Sequence, residues 1–304
     1  MRIVFFGTPD FAVPALEALS SVHDVTLVVA QPDKPSGRGM RLQAPPVAAR
    51  CRALGLTLEQ PARIRDSLFL DRVQADRPDL GVVIAYGKIL PAALLTIPRL
   101  GFLNVHGSRL PKYRGAAPVQ RAIEHGETVT GVTIMRVDEH LDHGPILAIE
   151  SLAIEPDERS PTLFARRSRT GADLLVRTIA ALEAGSAKET PQDDAQATLA
   201  PKIEKSEGQV DWNDASAVIY NRFRAFDPWP GVAAGGLKLL EIVPVAGGGL
   251  PGRIIGISEH GVDVAAGRGA LRLITVQRPG KSRVSAVELA RGSGWRLGSA
   301  LDTP

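Results

Sequence analysis

Four short runs in the first half of the chain, residues 3–6, 25–30, 80–85 and 102–106, are apolar almost without interruption, and stretches of helical composition at 11–19, 46–54 and 117–125 fall among and after them. A strand with one wet face alternates apolar and polar residues, whereas a strand covered on both faces is apolar throughout. This rhythm predicts an α/β fold: a doubly wound, Rossmann-like, mostly parallel sheet with helices on both faces. Functional groups in such sheets collect at the carboxyl ends of the strands.

Further along, residues 132–137 and 146–154 read as a pair of strands. Ser160-Pro161 then opens a helix that runs to about residue 183, since serine caps well and proline suits a first turn. Residues 185–206 are polar and proline-containing, as linkers are. Beyond them, β-type segments at 237–245, 252–258, 261–265 and 270–276 are separated by glycine-rich turns, the spacing of a small β-barrel or sandwich. A chain of 304 residues with 44% hydrophobic content has room for two cores. The expected domains are 1–188, a linker at 189–207, and 208–304.

The single cysteine, Cys51, excludes an internal disulfide and any zinc site built on several thiolates. The chain enters its first strand without a signal-peptide pattern, and no apolar run approaches the roughly 20 residues that span a bilayer. A soluble, cytoplasmic protein without a membrane partner is expected. Net charge is +3, with 24 basic against 24 acidic residues over 1–204 and 12 against 9 over 205–304. That margin alone is weak support for a polyanionic partner.

Gly7-Thr8-Pro9-Asp10 follows the first strand but lacks the later glycines of G-x-G-x-x-G, which disfavours a nicotinamide cofactor. Asn104 and His106 stand two apart at the end of the fourth apolar run, and residues i and i+2 of a strand share a face. An amide donor beside an imidazole suits attack on a carbonyl with movement of a proton. Asp138-Glu139-His140-Leu141-Asp142-His143-Gly144 gathers carboxylates and imidazoles in one connection. It reads either as a metal site or, preferred, as Asp142 aimed at His106. The Pro/Gly-rich loop 31–47 carries Lys34, Arg38 and Arg41 against Asp33, a pattern suited to phosphate contact.

Several segments carry a family resemblance: Phe6-Gly7-Thr8-Pro9-Asp10-Phe11-Ala12, Gln31-Pro32-Asp33-Lys34-Pro35 with Gly37-Arg38-Gly39, Ala85-Tyr86-Gly87, Asn104-Val105-His106-Gly107-Ser108 with Leu110-Pro111, Arg114-Gly115-Ala116-Ala117-Pro118, Gly131-Val132-Thr133-Ile134-Met135, Leu141-Asp142, and Arg224-Ala225-Phe226 with Pro228-Trp229-Pro230. From end to end the chain resembles the methionyl-tRNA formyltransferase family. The resemblance implies a formyltransferase fold with a C-terminal OB-like β-barrel, and transfer of the formyl group of 10-formyltetrahydrofolate to methionine on initiator methionyl-tRNA for translation initiation. It implies Asn104, His106 and Asp142 as catalytic residues, and Tyr86, Gly87, Leu90, Ser108, Arg109, Leu110 and Pro111 at the folate. Lys34, Arg38 and Arg41 would meet the tRNA, and a monomer without a metal is implied. The Asn/His segment with its Asp is common to folate-dependent formyltransferases, some of which act on small amines. The loop 31–47, the 224–230 segment and the C-terminal part narrow the acceptor to charged tRNA. Arg109, His140 and His143 depart from the family pattern, which has Ser-Leu-Leu-Pro and Gly-Leu-Asp-Thr-Gly at these places.

Overall fold

The structure is a computed structural model and describes residues 1–36 and 41–301. Its elements in chain order are β1 (Arg2–Gly7), α1 (Val13–Val22), β2 (Asp24–Val29), β3 (Lys34–Ser36), β4 (Arg41–Gln43), α2 (Pro46–Ala53), β5 (Leu58–Glu59), α3 (Ser67–Ala75), β6 (Leu80–Ile84), α4 (Ala92–Leu95), β7 (Phe102–His106), α5 (Pro118–Glu124), β8 (Val129–Arg136), β9 (Ile146–Ala153) and α6 (Ser160–Glu183). There follow α7 (Ser216–Ala225), β10 (Val232–Ala234), β11 (Leu237–Val245), β12 (Ile254–Ser258), β13 (Gly261–Ala265), β14 (Ala270–Gln277), β15 (Arg283–Ser285) and α8 (Ala286–Ser293).

The chain forms two compact units. The first takes residues Met1–Pro118, Val129–Ala153 and Phe164–Ala200; the second takes Val119–Thr128, Ile154–Leu163 and the chain from Pro201 onward.

The first unit holds a seven-stranded sheet in the order β5-β2-β1-β6-β7-β8-β9. Pairing is parallel from β5 through β7 and antiparallel at β8 and β9. Strand order reverses between β1 and β6, the crevice where ligands meet open α/β sheets. The apolar run at β7 shows why continuous hydrophobicity marked these strands. Leu103 and Val105 belong to the core layer that includes Leu16 and Leu19 of α1 and Leu175 and Ile179 of α6. Phe102 belongs to the opposite layer with Phe6, Phe69, Val73 and Leu94. Each such side chain removed from water contributes about 1.5–3 kcal/mol, so a one-residue slip of β7 is strongly disfavoured.

Residues 31–47 contain a two-stranded hairpin, with Lys34 paired to Gln43 and Ser36 to Arg41. Its root is held by Gln60, which donates to the Gln31 carbonyl at 2.8 Å and to Asp33 Oδ1 at 2.7 Å. Composition did not reveal this hairpin, nor β5, α3, α4, β15 and α8, because these elements are short or weakly patterned.

Cys51 lies fully buried on α2, and its Sγ approaches the Leu56 carbonyl at 3.4 Å. Burial pushes the thiol up to about 11, because charge is disfavoured away from water. The native protein is therefore expected to leave an aromatic disulfide reagent unreacted at pH 8, with one thiol released on unfolding in guanidinium.

The second unit is built on an antiparallel sheet of order β10-β11-β14-β13-β12, with β15 also paired to β14. The expected β segments at 237–245 and 261–265 coincide with β11 and β13. Among the described residues, no helix is long and apolar enough to cross a membrane.

Candidate active site

β7 delivers two polar side chains to one face because Phe102, Asn104 and His106 alternate with Leu103 and Val105, which are committed to the other core layer. Asn104 is half-buried and His106 is 5% exposed. The connection between β8 and β9 brings Asp142 to them. Asn104 Nδ2 donates to Asp142 Oδ1 at 3.4 Å, and His106 Nδ1 lies 3.5 Å from Asp142 Oδ2. Three residues separated by up to 38 positions thus form one constellation, with the Asp142 side chain only 14% exposed.

The second imidazole nitrogen fixes the chemistry of the first. His106 Nε2 is 2.9 Å from the Tyr113 carbonyl. A carbonyl oxygen can only accept, so Nε2 carries a proton and Nδ1 is the atom free to exchange one. That atom faces Asp142.

Backbone geometry around the site is unusual. Four non-glycine residues among those described have positive φ, and three belong here: Ala85 (+46°), Tyr113 (+63°) and Asp142 (+48°). Such conformations cost on the order of 1–3 kcal/mol each and persist where the surroundings over-determine them. Gln192 supplies part of that constraint. Its Nε2 donates to the carbonyls of Asp142 and Gly144, both at 2.9 Å. Its Oε1 accepts from Arg114 Nε at 3.1 Å and Nη2 at 2.8 Å, and Arg114 Nη2 also reaches Asp194 at 2.8 Å. Gly115 completes the hold by donating its amide to Asp142 Oδ2 at 2.8 Å. Gly115 must be glycine: its φ is +123°, and a Cβ there would lie 2.8 Å from the Ala200 carbonyl oxygen.

Residues 190–200, read from composition as linker, are pinned along this site. Arg114 donates its amide to Thr198, Ala200 donates to Arg114, Ala117 donates to Ala200, and Ile146 and Thr190 exchange amide bonds. Replacing Gln192 by Ala is expected to lower kcat about tenfold with little change in KM. The two hydrogen bonds that Gln192 donates to the carbonyls of the Asp142 loop, at roughly 1 kcal/mol each, set the size of the effect, and steady-state kinetics checks it.

The loop after β7 is clamped from β8. Buried Thr133 donates to the Ser108 carbonyl at 2.7 Å and accepts from the Leu110 amide at 3.1 Å. Ser108 Oγ donates to the Lys112 carbonyl at 2.6 Å. Arg167, fully buried on α6, donates to the Gly107 carbonyl and to Thr130 Oγ1. Sequence patterning marks none of Arg167, Gln192 and the Tyr113 carbonyl, since backbone carbonyls and remote clamps leave no local motif, and the 131–135 segment marks Thr133 without showing that it clamps the loop.

The expected folate residues divide. Ser108 and Leu110 are buried, Pro111 is half-buried and Arg109 is exposed, its stem lying over Gly131 of β8. Tyr86 and Leu90 turn their side chains into the core layer with Phe6, which meets the Tyr86 ring edge-on at 5.3 Å. Burial pushes the Tyr86 phenol up to about 12. Their strand-end loop instead presents backbone: Gly87 is exposed with open space at its α-carbon, and Gly87, Lys88 and Ile89 donate no backbone hydrogen bond to another described residue. Ile89 adds an exposed apolar side chain, and Thr8 after β1 holds the Tyr86 carbonyl at 3.0 Å. This loop offers the amides and apolar edge that a flat heterocycle needs.

Lys34 and Arg41 are exposed on the hairpin and make no ion pair with other described residues, whereas Arg38 lies outside the described residues. His143 is hydrogen-bonded through Nδ1 to Asp138 Oδ2 at 2.7 Å, and that bond holds its imidazole above the ordinary value.

Comparison with known proteins shows the family. A family model described as formyl transferase matches residues 1–179, and one described as formyl transferase, C-terminal domain, matches 202–294. Methionyl-tRNA formyltransferase of Deinococcus radiodurans is 46% identical over 306 aligned positions, covering 99% of this chain and 96% of that protein. The Thermus thermophilus protein of the same name is 44% identical and covers 99% of both. Among solved structures, the sugar 3N-formyl transferase WlaRD, with dTDP and 5-N-formyl-THF, superposes with a TM-score of 0.70 at 16% identity, over 93% of this chain and 99% of that one. HypX from Aquifex aeolicus in complex with tetrahydrofolic acid gives a TM-score of 0.62 at 18% identity, over 95% of this chain and 47% of that one. At these identities the structural likeness speaks to fold alone.

Proposed function

We propose, given that this chain belongs to the formyl transferase family and within it to the methionyl-tRNA formyltransferases, that Asn104, His106 and Asp142 carry transfer of a formyl group from 10-formyltetrahydrofolate to the α-amino group of methionine on initiator tRNA. The observation that carries this assignment is the convergence of an amide donor, an imidazole and a carboxylate within 3.5 Å contacts at the end of β7. Bound folate supplies an activated formyl group on its N10.

The methionyl amine, neutral, forms a bond to the formyl carbon, and Asn104 Nδ2 donates to the formyl oxygen as negative charge grows there. Such a donor is worth about 2.7–4 kcal/mol in the transition state. His106 takes the amine proton at Nδ1, because Nε2–H is held by the Tyr113 carbonyl. Asp142 Oδ2 holds the resulting imidazolium, and the proton passes to N10 as the carbon–N10 bond breaks. These residues account for the proton and the charge without a metal in the reaction.

The folate is assigned to the strand-end loop with Tyr86, Gly87 and Leu90 and to residues 108–111, with the heterocycle on exposed amides of the 87–89 backbone and Arg109 at the solvent side. The tRNA is assigned to Lys34, Arg38 and Arg41 and to residues 208–304, with the chemistry carried by the first unit, residues 190–200 included. The enzyme acts as a cytoplasmic monomer.

Formyl transfer from 10-formyltetrahydrofolate is the direct test, with charged initiator tRNA, charged elongator tRNA and an amino sugar as acceptors. Initiator tRNA is expected to be formylated fastest, and preferential formylation of the sugar would remove the tRNA reading. Removing one cation from the phosphate backbone should flatten the dependence of log affinity on log salt by about 0.7–0.9. Replacing Lys34 and Arg41 together by Ala is therefore expected to lower that slope by about 1.4–1.8 in a filter-binding series, and an unchanged slope would clear the hairpin of phosphate contact.

A further inference from the structure

The two histidines that depart from the family pattern bracket Asp142, and the structure brings them together with Asp138. One donor atom from each of Asp138, His140 and His143 lies within 4.8 Å of the other two. We propose that these three side chains bind one divalent transition-metal ion of the zinc class, placed on the outer side of the loop that carries Asp142.

The donor set selects the ion. Two imidazoles and one carboxylate suit zinc, nickel or cobalt, whereas magnesium and calcium require an all-oxygen shell. Tetrahedral donors about 2.0–2.1 Å from zinc sit about 3.3 Å from one another. His143 Nδ1 and Asp138 Oδ2, now 2.7 Å apart around a shared proton, open slightly when an ion replaces that proton. His140 is exposed, its ring already 5.2 Å from that of His143, and closes the remaining distance by side-chain rotation on binding, with water at the fourth position.

The surroundings favour a cation on two independent grounds. His143 Nε2 lies 3.6 Å from Asp194 Oδ2, so metal on Nδ1 leaves an N–H aimed at a carboxylate. This is the arrangement that orients metal-bound histidines elsewhere. The local charge is also acidic: Asp138, Glu139, Asp142 and Asp194 stand against Arg114, whose guanidinium is already paired with Asp194 at 2.8 Å. An ion held here ties residues 138 and 143 across Asp142 and stiffens the loop whose carbonyls Gln192 already holds.

Titration calorimetry on the full chain with zinc chloride tests the site, with magnesium chloride as control. One zinc ion per chain is expected, with no magnesium signal. His140→Ala and His143→Ala should each weaken zinc binding at least tenfold, while His260→Ala, altered at an exposed histidine of the second unit, should not. Cobalt added to wild type should give the visible absorption of a four-coordinate ion, lost in the double variant His140→Ala/His143→Ala. Circular dichroism on the same samples confirms that these surface changes leave the fold intact. Equal zinc affinity in wild type and the double variant overturns the proposal. So does zinc binding that disappears only with His106→Ala, which would place the ion at the reacting residues. Because binding is the readout, these outcomes do not depend on the roles assigned to Asn104, His106 and Asp142.

Discussion

Asp142→Asn is expected to lower kcat for formyl transfer by about 10³–10⁴-fold, about 4–5.5 kcal/mol in the barrier, while tRNA affinity stays within a factor of two. The reason is the number of hydrogens converging on this carboxylate. Oδ2 accepts from the Gly115 amide at 2.8 Å and faces His106 Nδ1 at 3.5 Å, and Oδ1 accepts from Asn104 at 3.4 Å. An asparagine can keep its oxygen toward Gly115 only by turning its NH2 toward the Asn104 NH2. It also leaves a protonated His106 without its counter-charge. Single-turnover formylation with saturating folate separates this loss from binding. Turnover within tenfold of wild type would remove Asp142 from the proton path.

The second large effect concerns stability. Arg121, 8% exposed on α5, donates to Glu124 at 2.7 Å, to both Glu207 oxygens and to the Pro201 and Lys202 carbonyls. All of these lie within the second unit. Replacing Arg121 by Met keeps the stem but removes the guanidinium from Glu207 and leaves Glu124 only Arg222, 3.6 Å away, and breaking a buried pair in this way costs about 3–5 kcal/mol. The effect has a pH signature. The Arg121 hydrogen bond, as the largest cause, holds the Glu207 carboxyl below its usual value. A depressed carboxyl contributes stability above its unfolded value of about 4.3, and that contribution is lost as pH falls through the folded value. Urea melts of wild type and Arg121→Met should therefore differ most near pH 7 and converge below about pH 4. A constant gap would assign the cost to packing.

How much of this was legible beforehand depended on how local the signal was. The buried strands at 3–6 and 102–106 and the helix at 160–183 were readable because burial on two faces, helical period and an N-terminal Ser-Pro are properties of adjacent residues. Asn104 and His106 were readable as a pair for the same reason. Asp142 could be named from its loop and from family resemblance, but its distance to them could not. Gln192 was hidden because its stretch is polar, loop-like and remote in sequence. Its value lies in two carbonyls at 142 and 144 that happen to pass beside it. Tyr86 and Leu90 illustrate the opposite limit, since a motif marks a segment without saying whether side chain or backbone faces out.

The amino-acid order by itself determined the mixed α/β first part, the β-rich second part, the family, and the chemical types available at 104, 106 and 142, because patterning and composition act over a few residues at a time. Tertiary structure alone decided which imidazole nitrogen exchanges protons, what holds Asp142 at a φ of +48°, and that residues 190–200 are stitched to the catalytic loops. Those facts rest on contacts between segments up to 86 positions apart, where chain closure rather than local propensity sets the geometry.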